Sequence, residues 1–207
     1  MRGCRTLPSV ATRDRILDGA LGSFGTRGYD ASSLDAIASE LGVRKQTILY
    51  YFPSKEVLLE AVIDRSADEL SAVLEGALVR AGVGWERVEA VVRSVFRLAL
   101  RRPELLGLLR EVSRLGPPAA TRLTEALDPL VQRARHFLEA EMDAGTMRRQ
   151  DARLVLLSAY SAVIGVATEV EVLRAVGMDP TLRSLAVRRR ELIAFLRSAL
   201  LVHAARP

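Results

Sequence analysis

The stretch from residue 33 to residue 55, SLDAIASELGVRKQTILYYFPSK, constrains the fold more than any other part of the chain. Its first part has the apolar spacing of a short helix, and Gly42 suits the left-handed conformation that follows a helix end. A second short helix follows, with basic, hydroxyl and aromatic side chains. Two helices joined in this way predict a helix-turn-helix, in which the second helix enters the DNA major groove.

The rest of the chain has the pattern of helices. Hydrophobic residues make up 49% of the 207 positions, and they recur every three or four positions with almost no strand pattern. We therefore expect an all-α protein of about nine helices. We expect a disordered stretch at residues 1–10, an N-terminal three-helix unit at residues 11–56 and a larger helical unit at residues 57–207.

Local signals predict the ends of several helices. Ser33 and Ser54 are expected to cap the helices that follow them. Asp128 and Asp179 each precede a proline, which favours a helix start at residues 129 and 180. One long helix is expected from residue 151 to residue 176.

Positive charge is concentrated near the N-terminus. The net charge is +5, and residues 1–55 contain eight arginines and lysines against five acidic residues. The two lysines of the chain, Lys45 and Lys55, both lie in the predicted helix-turn-helix. This distribution suits a polyanionic partner.

No arrangement of residues predicts catalysis, a metal or a cofactor. Cys4 stands alone, and His136 and His203 have no acidic or thiol partner at a suggestive spacing. The longest uncharged run, residues 154–168, is shorter than the roughly 20 residues of a membrane span. We therefore expect a cytoplasmic protein that is not an enzyme and has no membrane partner.

The second helix of the motif has two chemically different sides. Ile48 and Phe52 can face the core, whereas Thr47, Tyr50 and Tyr51 are neighbours on one surface. The candidate DNA contacts are Ser33, Arg44, Lys45, Gln46, Thr47, Tyr50, Tyr51 and Lys55.

Each candidate has a chemical role. Gln46 can pair with adenine, Arg44 and Lys45 with guanine or phosphate, and Thr47 with a thymine methyl group or phosphate. The two tyrosines and Lys55 suit phosphate oxygens. Ser33 can contact a phosphate, and its alternative role is only to cap its helix.

Two C-terminal stretches are strongly apolar. Residues 151–176 are apolar on nearly every side, and residues 181–203 carry a second leucine-rich stripe. They can form an intramolecular core, an interface between two copies, or both. We expect the run Arg188-Arg189-Arg190 to be a solvated helix face, and the alternative is a role in ion pairs at an interface. The tentative ligand-binding residues are Leu105, Leu109, Val112, Phe137, Tyr160, Ile164 and Glu169.

The order of these features resembles the TetR family of transcriptional regulators. The resemblance is strongest from about Arg13 to Glu60, and its most specific piece is TILYYFPSKE at residues 47–56. It includes FGTRGY at residues 24–29, and GTMRRQD at residues 145–151 resembles a further family turn. The resemblance implies a homodimer formed by the last two long helices and a ligand pocket in the second domain.

Two positions depart from the family pattern. Arg44 stands where the family usually has a Ser or Thr that caps the second helix of the motif. Leu49 stands where a DNA-contacting Tyr is usual. Operator recognition should therefore differ in detail.

The sequence thus predicts a homodimeric repressor that binds a palindromic operator. The N-terminal unit would be the DNA-binding domain, and residues 57–207 the ligand-binding and dimerisation domain. A small hydrophobic ligand would release the DNA. One alternative is an activator or a ligand-free DNA-binding regulator. A more distant alternative is a helical small-molecule-binding protein that does not bind DNA.

Overall fold

A computed structural model describes residues 10–202, which contain ten α-helices and no strand apart from one isolated bridge between Met147 and Leu201. The helices are α1 (Val10–Arg27), α2 (Leu34–Leu41), α3 (Lys45–Tyr51), α4 (Lys55–Arg80), α5 (Trp85–Arg101), α6 (Pro103–Leu115), α7 (Ala119–Asp143), α8 (Ala152–Thr168), α9 (Val170–Ala175) and α10 (Leu182–Leu200). The all-α prediction is confirmed, with ten helices in this range instead of about nine. Val10, which was predicted to be disordered, already belongs to α1, whereas Cys4 and His203 lie outside the described residues.

Local capping explains where the N-terminal helices begin and end. The Ser33 hydroxyl accepts a hydrogen bond from the Ala36 N–H at 3.1 Å, and the Ser54 hydroxyl accepts one from the Val57 N–H at 3.2 Å. Gly42 ends α2 in the left-handed region at φ 66°, where a side chain would be strained. These three predictions are confirmed.

Helices α1 and α6 form the most extensive helix pair in residues 10–202, and their backbones come into close contact. A Cβ atom added at Gly25 would lie 2.1 Å from the Glu104 carbonyl oxygen, and one added at Gly107 would lie 2.0 Å from the Gly25 carbonyl oxygen. Only glycine fits at these two positions. Phe24 and Leu108 are fully buried beside this contact, so the N-terminal helices share one core with α6.

The predicted helix start at Pro129 is wrong, because Pro129 lies inside the continuous helix α7. Arg122 pairs with Asp64 before the proline, and Arg133 pairs with Glu75 after it. Both carboxylates belong to α4, so packing along α4 holds the two halves of α7 in line despite the missing N–H of proline.

The predicted single helix over residues 151–176 is also wrong. It is divided at Glu169, whose backbone (φ −82°, ψ 80°) departs from helical values between α8 and α9. Helix α10 begins later than predicted. Its N-cap is Thr181 instead of Asp179, and the Thr181 hydroxyl accepts a hydrogen bond from the Ser184 N–H at 3.1 Å.

Helix α4 runs without interruption across residues 56 and 57, where the sequence placed a domain boundary. The boundary therefore stays a prediction about function and does not coincide with a break in the helix. Within residues 10–202, no helix combines the length and the apolar character needed to cross a membrane.

We predict that Gly25→Ala lowers the free energy of unfolding by about 1–3 kcal/mol, because the added methyl group would overlap backbone atoms of α6. Thermal and denaturant unfolding measure this change. Gly22→Ala, three residues earlier in α1, is the matched control, since a Cβ there meets no neighbouring atom within 4 Å. The control should be neutral or slightly stabilising. Equal unfolding free energies for the two variants would contradict the tight α1–α6 contact.

Candidate nucleic-acid interface

Helix α3 has one buried side and one exposed side. Ile48 and Phe52 are 0% and 2% exposed, whereas Tyr50 is 70% exposed. Gln46 is also exposed, and Thr47 and Tyr51 are half-buried. The buried pair anchors α3 in the core, and the polar and aromatic residues are left to face a partner.

The first turn of α3 presents a cluster of polar groups. Arg44 is the N-cap residue, is exposed and makes no side-chain capping hydrogen bond, as its guanidinium chemistry predicts. The Lys45 ammonium donates to Asp35 of α2 at 2.8 Å. Because both side chains are substantially exposed, the pair is weak and can be exchanged for a phosphate or a base.

Aromatic contacts order the end of α3. The rings of Tyr50 and Tyr51 meet edge to face, with centroids 5.3 Å apart and planes at 90°, a favoured geometry for aromatic pairs. The guanidinium of Arg13 in α1 lies 5.3 Å from the centre of the Phe52 ring. These contacts limit the positions that the two tyrosine hydroxyls can take.

Lys55 at the start of α4 is positioned by Tyr29. Its ammonium lies 3.9 Å from the centre of the Tyr29 ring, a cation–π contact. The Tyr29 hydroxyl donates to Glu56 at 3.1 Å, and the Tyr29 backbone N–H donates to Glu111 of α6 at 2.6 Å. Burial, followed by the hydrogen bond to Glu56, raises the pKa of Tyr29 to about 12.

The eight predicted DNA contacts lie on α3 and at the starts of α2 and α4. Ser33 accepts the capping hydrogen bond of α2 and is exposed, so its O–H can also donate outward. Sequence reasoning missed the partners Asp35 and Tyr29, which lie far along the chain from the lysines they contact. A carboxylate in the first turn of α2 and an aromatic residue just after α1 were the available signals.

The tentative ligand residues do not lie together in one site of the structure. Leu105, Leu109, Val112 and Ile164 belong to the main core, and Phe137 packs against a second cluster that includes Leu138 and Met142. Tyr160 is 48% exposed on the outer side of α8, which corrects its expected place inside the helices. Glu169 pairs with Arg110 of α6 at 2.7 Å.

Two surface concavities of about 390 and 410 Å³ lie along α10. None of the tentative ligand residues lines them. Among residues 10–202, no group of three or more His, Cys, Asp or Glu side chains is placed to hold a metal ion.

The arginine run on α10 is not the uniformly solvated face that the sequence predicted. Arg190 is exposed and Arg189 is half-buried, but Arg188 is buried. Arg188 continues the buried stripe of Leu185 and Leu192. That i, i+3, i+7 spacing was the signal that could have identified it.

The fold and this surface define an all-α helix-turn-helix protein. Residues 16–62 match the family model described as bacterial regulatory proteins, tetR family. The chain is 32% identical over 93 residues to the HTH-type transcriptional repressor KstR of Mycolicibacterium smegmatis, a match that covers 45% of this chain and 46% of that one. The N-terminal helices therefore match the TetR family, and the chain matches less than half of the length of that relative.

Solved structures share the fold over nearly the whole chain. A putative transcriptional regulator from Saccharomonospora viridis, in complex with choline, has a TM-score of 0.76 at 23% identity and covers 94% of this chain and 100% of its own. The transcriptional regulator FadR from Bacillus subtilis, in complex with stearoyl-CoA, has a TM-score of 0.75 at 20% identity, covering 92% and 100%.

We predict that one tyrosine titrates well above the ordinary pKa of about 10, and that this residue is Tyr29, with a pKa of about 12. Because folding raises this pKa, the stabilising contribution is complete below pH 10. It is lost as the pH rises from 10 to 12. Ultraviolet absorbance of tyrosinate measures the titration. Tyr29→Phe should remove the late step, and Glu56→Gln should lower its midpoint only in part, since burial is the larger cause. A late step that survives in Tyr29→Phe would exclude this assignment.

Proposed function

We propose that the chain is a transcriptional regulator that binds a palindromic DNA operator as a homodimer and acts as a repressor. The observation that carries the proposal is the exposed surface made by α3 and the starts of α2 and α4, backed by the buried Ile48 and Phe52. The surface combines cations for phosphate with amide and hydroxyl groups for base edges. The repressor role is supported by the name of the matched relative KstR.

In the proposed complex, α3 lies in the major groove. Its first turn, with Arg44, Lys45 and Gln46, contacts base edges, and Thr47, Tyr50 and Tyr51 contact the adjacent backbone. Lys55 and the first N–H groups of α4 bind a phosphate. Lys45 exchanges Asp35 for DNA on binding, and Ser33 donates its O–H to a phosphate at the start of α2.

Two copies are proposed to associate through the outer faces of α8 and α10. Leu154 and Leu157 on α8 are 62% and 60% exposed, and Phe195 on α10 is 62% exposed. Tyr160 and Val202 extend the same kind of surface. Large apolar side chains grouped on neighbouring helices are typical of an interface between subunits. A twofold dimer would present two α3 helices to the two halves of a palindrome.

A small ligand with a hydrophobic body is proposed to bind among α5, α6 and α8 and to release the DNA. The hydrophobic class is supported by Leu105, Leu109 and Val112 of α6, which face the interior, and by the similar structure solved with stearoyl-CoA. The similar structure solved with choline supports only the binding of a small molecule. Helix α6 also contacts the DNA-binding helices directly, since Glu111 accepts from Tyr29 and Arg114 pairs with Asp30 at 2.9 Å. A ligand that favours a different position of α6 would shift the population away from the DNA-binding form.

We predict that Lys55→Ala weakens binding to all DNA sequences and lowers the slope of log K against log salt concentration by about 0.9, the value for one lost phosphate contact. Fluorescence anisotropy at several salt concentrations, on DNA selected from a random pool, measures both quantities. Arg101→Ala removes an exposed cation in the last turn of α5 and is the matched control. The assignment fails if the two variants have the same slope.

Gln46→Ala should act differently from Lys55→Ala. Loss of a bidentate contact with a base costs about 1–3 kcal/mol and should change the selected DNA sequence at one position in each half-site. Lys55→Ala should leave the selected sequence unaltered. An identical selected motif for wild type and Gln46→Ala would rule out base recognition by Gln46.

We predict that Leu157→Arg converts the dimer to a monomer that remains folded, because Leu157 is 60% exposed in the single chain and an arginine there disrupts only the interface. Sedimentation measures the mass, and circular dichroism measures the helix content. Val79→Arg is the control, since Val79 is an 85% exposed apolar residue near the end of α4. A wild-type monomer at micromolar concentration, or a dimer in Leu157→Arg, would refute this interface.

A further inference from the structure

Arg188 is the one charged residue among the buried side chains of residues 10–202, with 7% of its surface exposed. The arginines that form ion pairs in this range are all much more exposed than Arg188. A guanidinium remains protonated at all physiological pH values, so Arg188 cannot escape burial by losing its charge. A buried charge is costly unless an opposite charge and hydrogen bonds compensate it.

The hydrogen bonds of Arg188 are incomplete. Its Nη1 donates to the Val166 carbonyl oxygen of α8. Its Nε is buried and has no hydrogen-bond partner. Within the described range, no carboxylate lies within ion-pair distance of Arg188, and burial alone lowers its pKa.

The surroundings of Arg188 supply only part of a counter-charge. Val166 lies in the last turn of α8, whose free carbonyl groups carry about half a negative charge in total. Glu169, the nearby carboxylate at the end of α8, is already paired with Arg110 at 2.7 Å. A buried guanidinium that receives one carbonyl oxygen and leaves a second donor free has the chemistry of a site for an anion.

We propose that the ligand of the C-terminal helices carries a single carboxylate on an apolar body, and that Arg188 binds this carboxylate. This inference rests on the proposed ligand-responsive function and specifies the class of ligand. A carboxylate matches the one guanidinium present, since the two oxygens can accept from two neighbouring N–H groups. A phosphate monoester carries nearly two charges at neutral pH, and the described part of the chain offers no second buried cation beside Arg188.

The apolar body would lie on the interior side of α8. Val163 and Ile164 precede Val166 by three and two residues and are buried in the same core as Leu109 and Val112 of α6. Binding there would act on the end of α8, where Glu169 pairs with Arg110 of α6. Helix α6 in turn packs against α1, so the site is joined to the DNA-binding helices by continuous contacts.

The test compares acids with alcohols of the same length on the purified full chain. Straight-chain carboxylates of six to fourteen carbons, benzoate and the matched alcohols are titrated, and the dissociation constants are obtained from thermal shifts. At the optimal length we expect the acid to bind about tenfold more tightly than its alcohol, as for a charged hydrogen bond. Equal effects of every acid and its alcohol, including no effect of either, would overturn the proposal.

Variants at position 188 test the residue itself. Arg188→Gln should make the acid and the alcohol bind equally, and Arg188→Lys should keep a preference for the acid. Arg188→Met should leave the melting temperature of the ligand-free protein unchanged or raise it, because replacing a buried charge with an apolar side chain is often neutral or stabilising. A lower melting temperature in Arg188→Met, with the acid preference retained in Arg188→Gln, would mean that Arg188 only supports α8 and would refute the proposal.

DNA binding separates this inference from the proposed function. Anisotropy on the selected DNA is measured for the ligand-free chain and again with the preferred acid. If the chain binds DNA but acids have no advantage, the carboxylate site fails and the regulator stands. If acids bind through Arg188 but the chain binds no DNA, the carboxylate site stands and the proposed function fails.

Discussion

The backbone contact between α1 and α6 is the constraint on which the arrangement of the other helices depends. Gly25 and Gly107 let the two helices approach until a Cβ on either would overlap the backbone of the other. The apolar residues around the contact, such as Phe24, Leu105 and Leu108, are almost completely excluded from solvent. Because these side chains belong to both parts of the chain, the helix-turn-helix cannot be detached from the C-terminal helices without exposing the core of both.

This shared core makes α6 the route by which the proposed ligand would act on the proposed DNA-binding helices. A hydrogen bond near the glycine pair also fixes the position of α6 relative to the loop after α1, since Glu111 of α6 accepts from the Tyr29 N–H at 2.6 Å. The same Tyr29 ring supports Lys55, one of the proposed phosphate contacts. A displacement of α6 would therefore disturb a residue that positions the proposed DNA-binding surface. Packed helices move between discrete arrangements, which is the physical requirement for a switch.

Local signals were sufficient to predict the N-terminal helices, because Ser33, Gly42 and Ser54 act on their own backbone within a few residues. The C-terminal predictions failed where distant packing overrides such signals. Pro129 would start a helix in isolation, but α4 holds both halves of α7 together. The placement of the proposed DNA contacts on α3 followed from periodicity. Their partners, and the burial of Arg188, depend on which helices meet, and the pattern of one helix does not contain that information.

The cationic side chains of the chain lie in two different environments, which differ in how much solvent surrounds the charge. At the proposed DNA-binding surface, Lys45 forms an ion pair with Asp35 and Lys55 lies over the ring of Tyr29. Water screens these exposed contacts, so they cost little to exchange and serve mainly to hold the side chains in place before DNA arrives. In the interior, the Nε of Arg188 has no hydrogen-bond partner, and no carboxylate of residues 10–202 pairs with its guanidinium. Because a buried charge is screened less than an exposed one, the proposed carboxylate would gain more at Arg188 than at the surface. The proposed regulator would use the first kind of contact for reversible, salt-dependent binding of DNA and the second to select its ligand by charge.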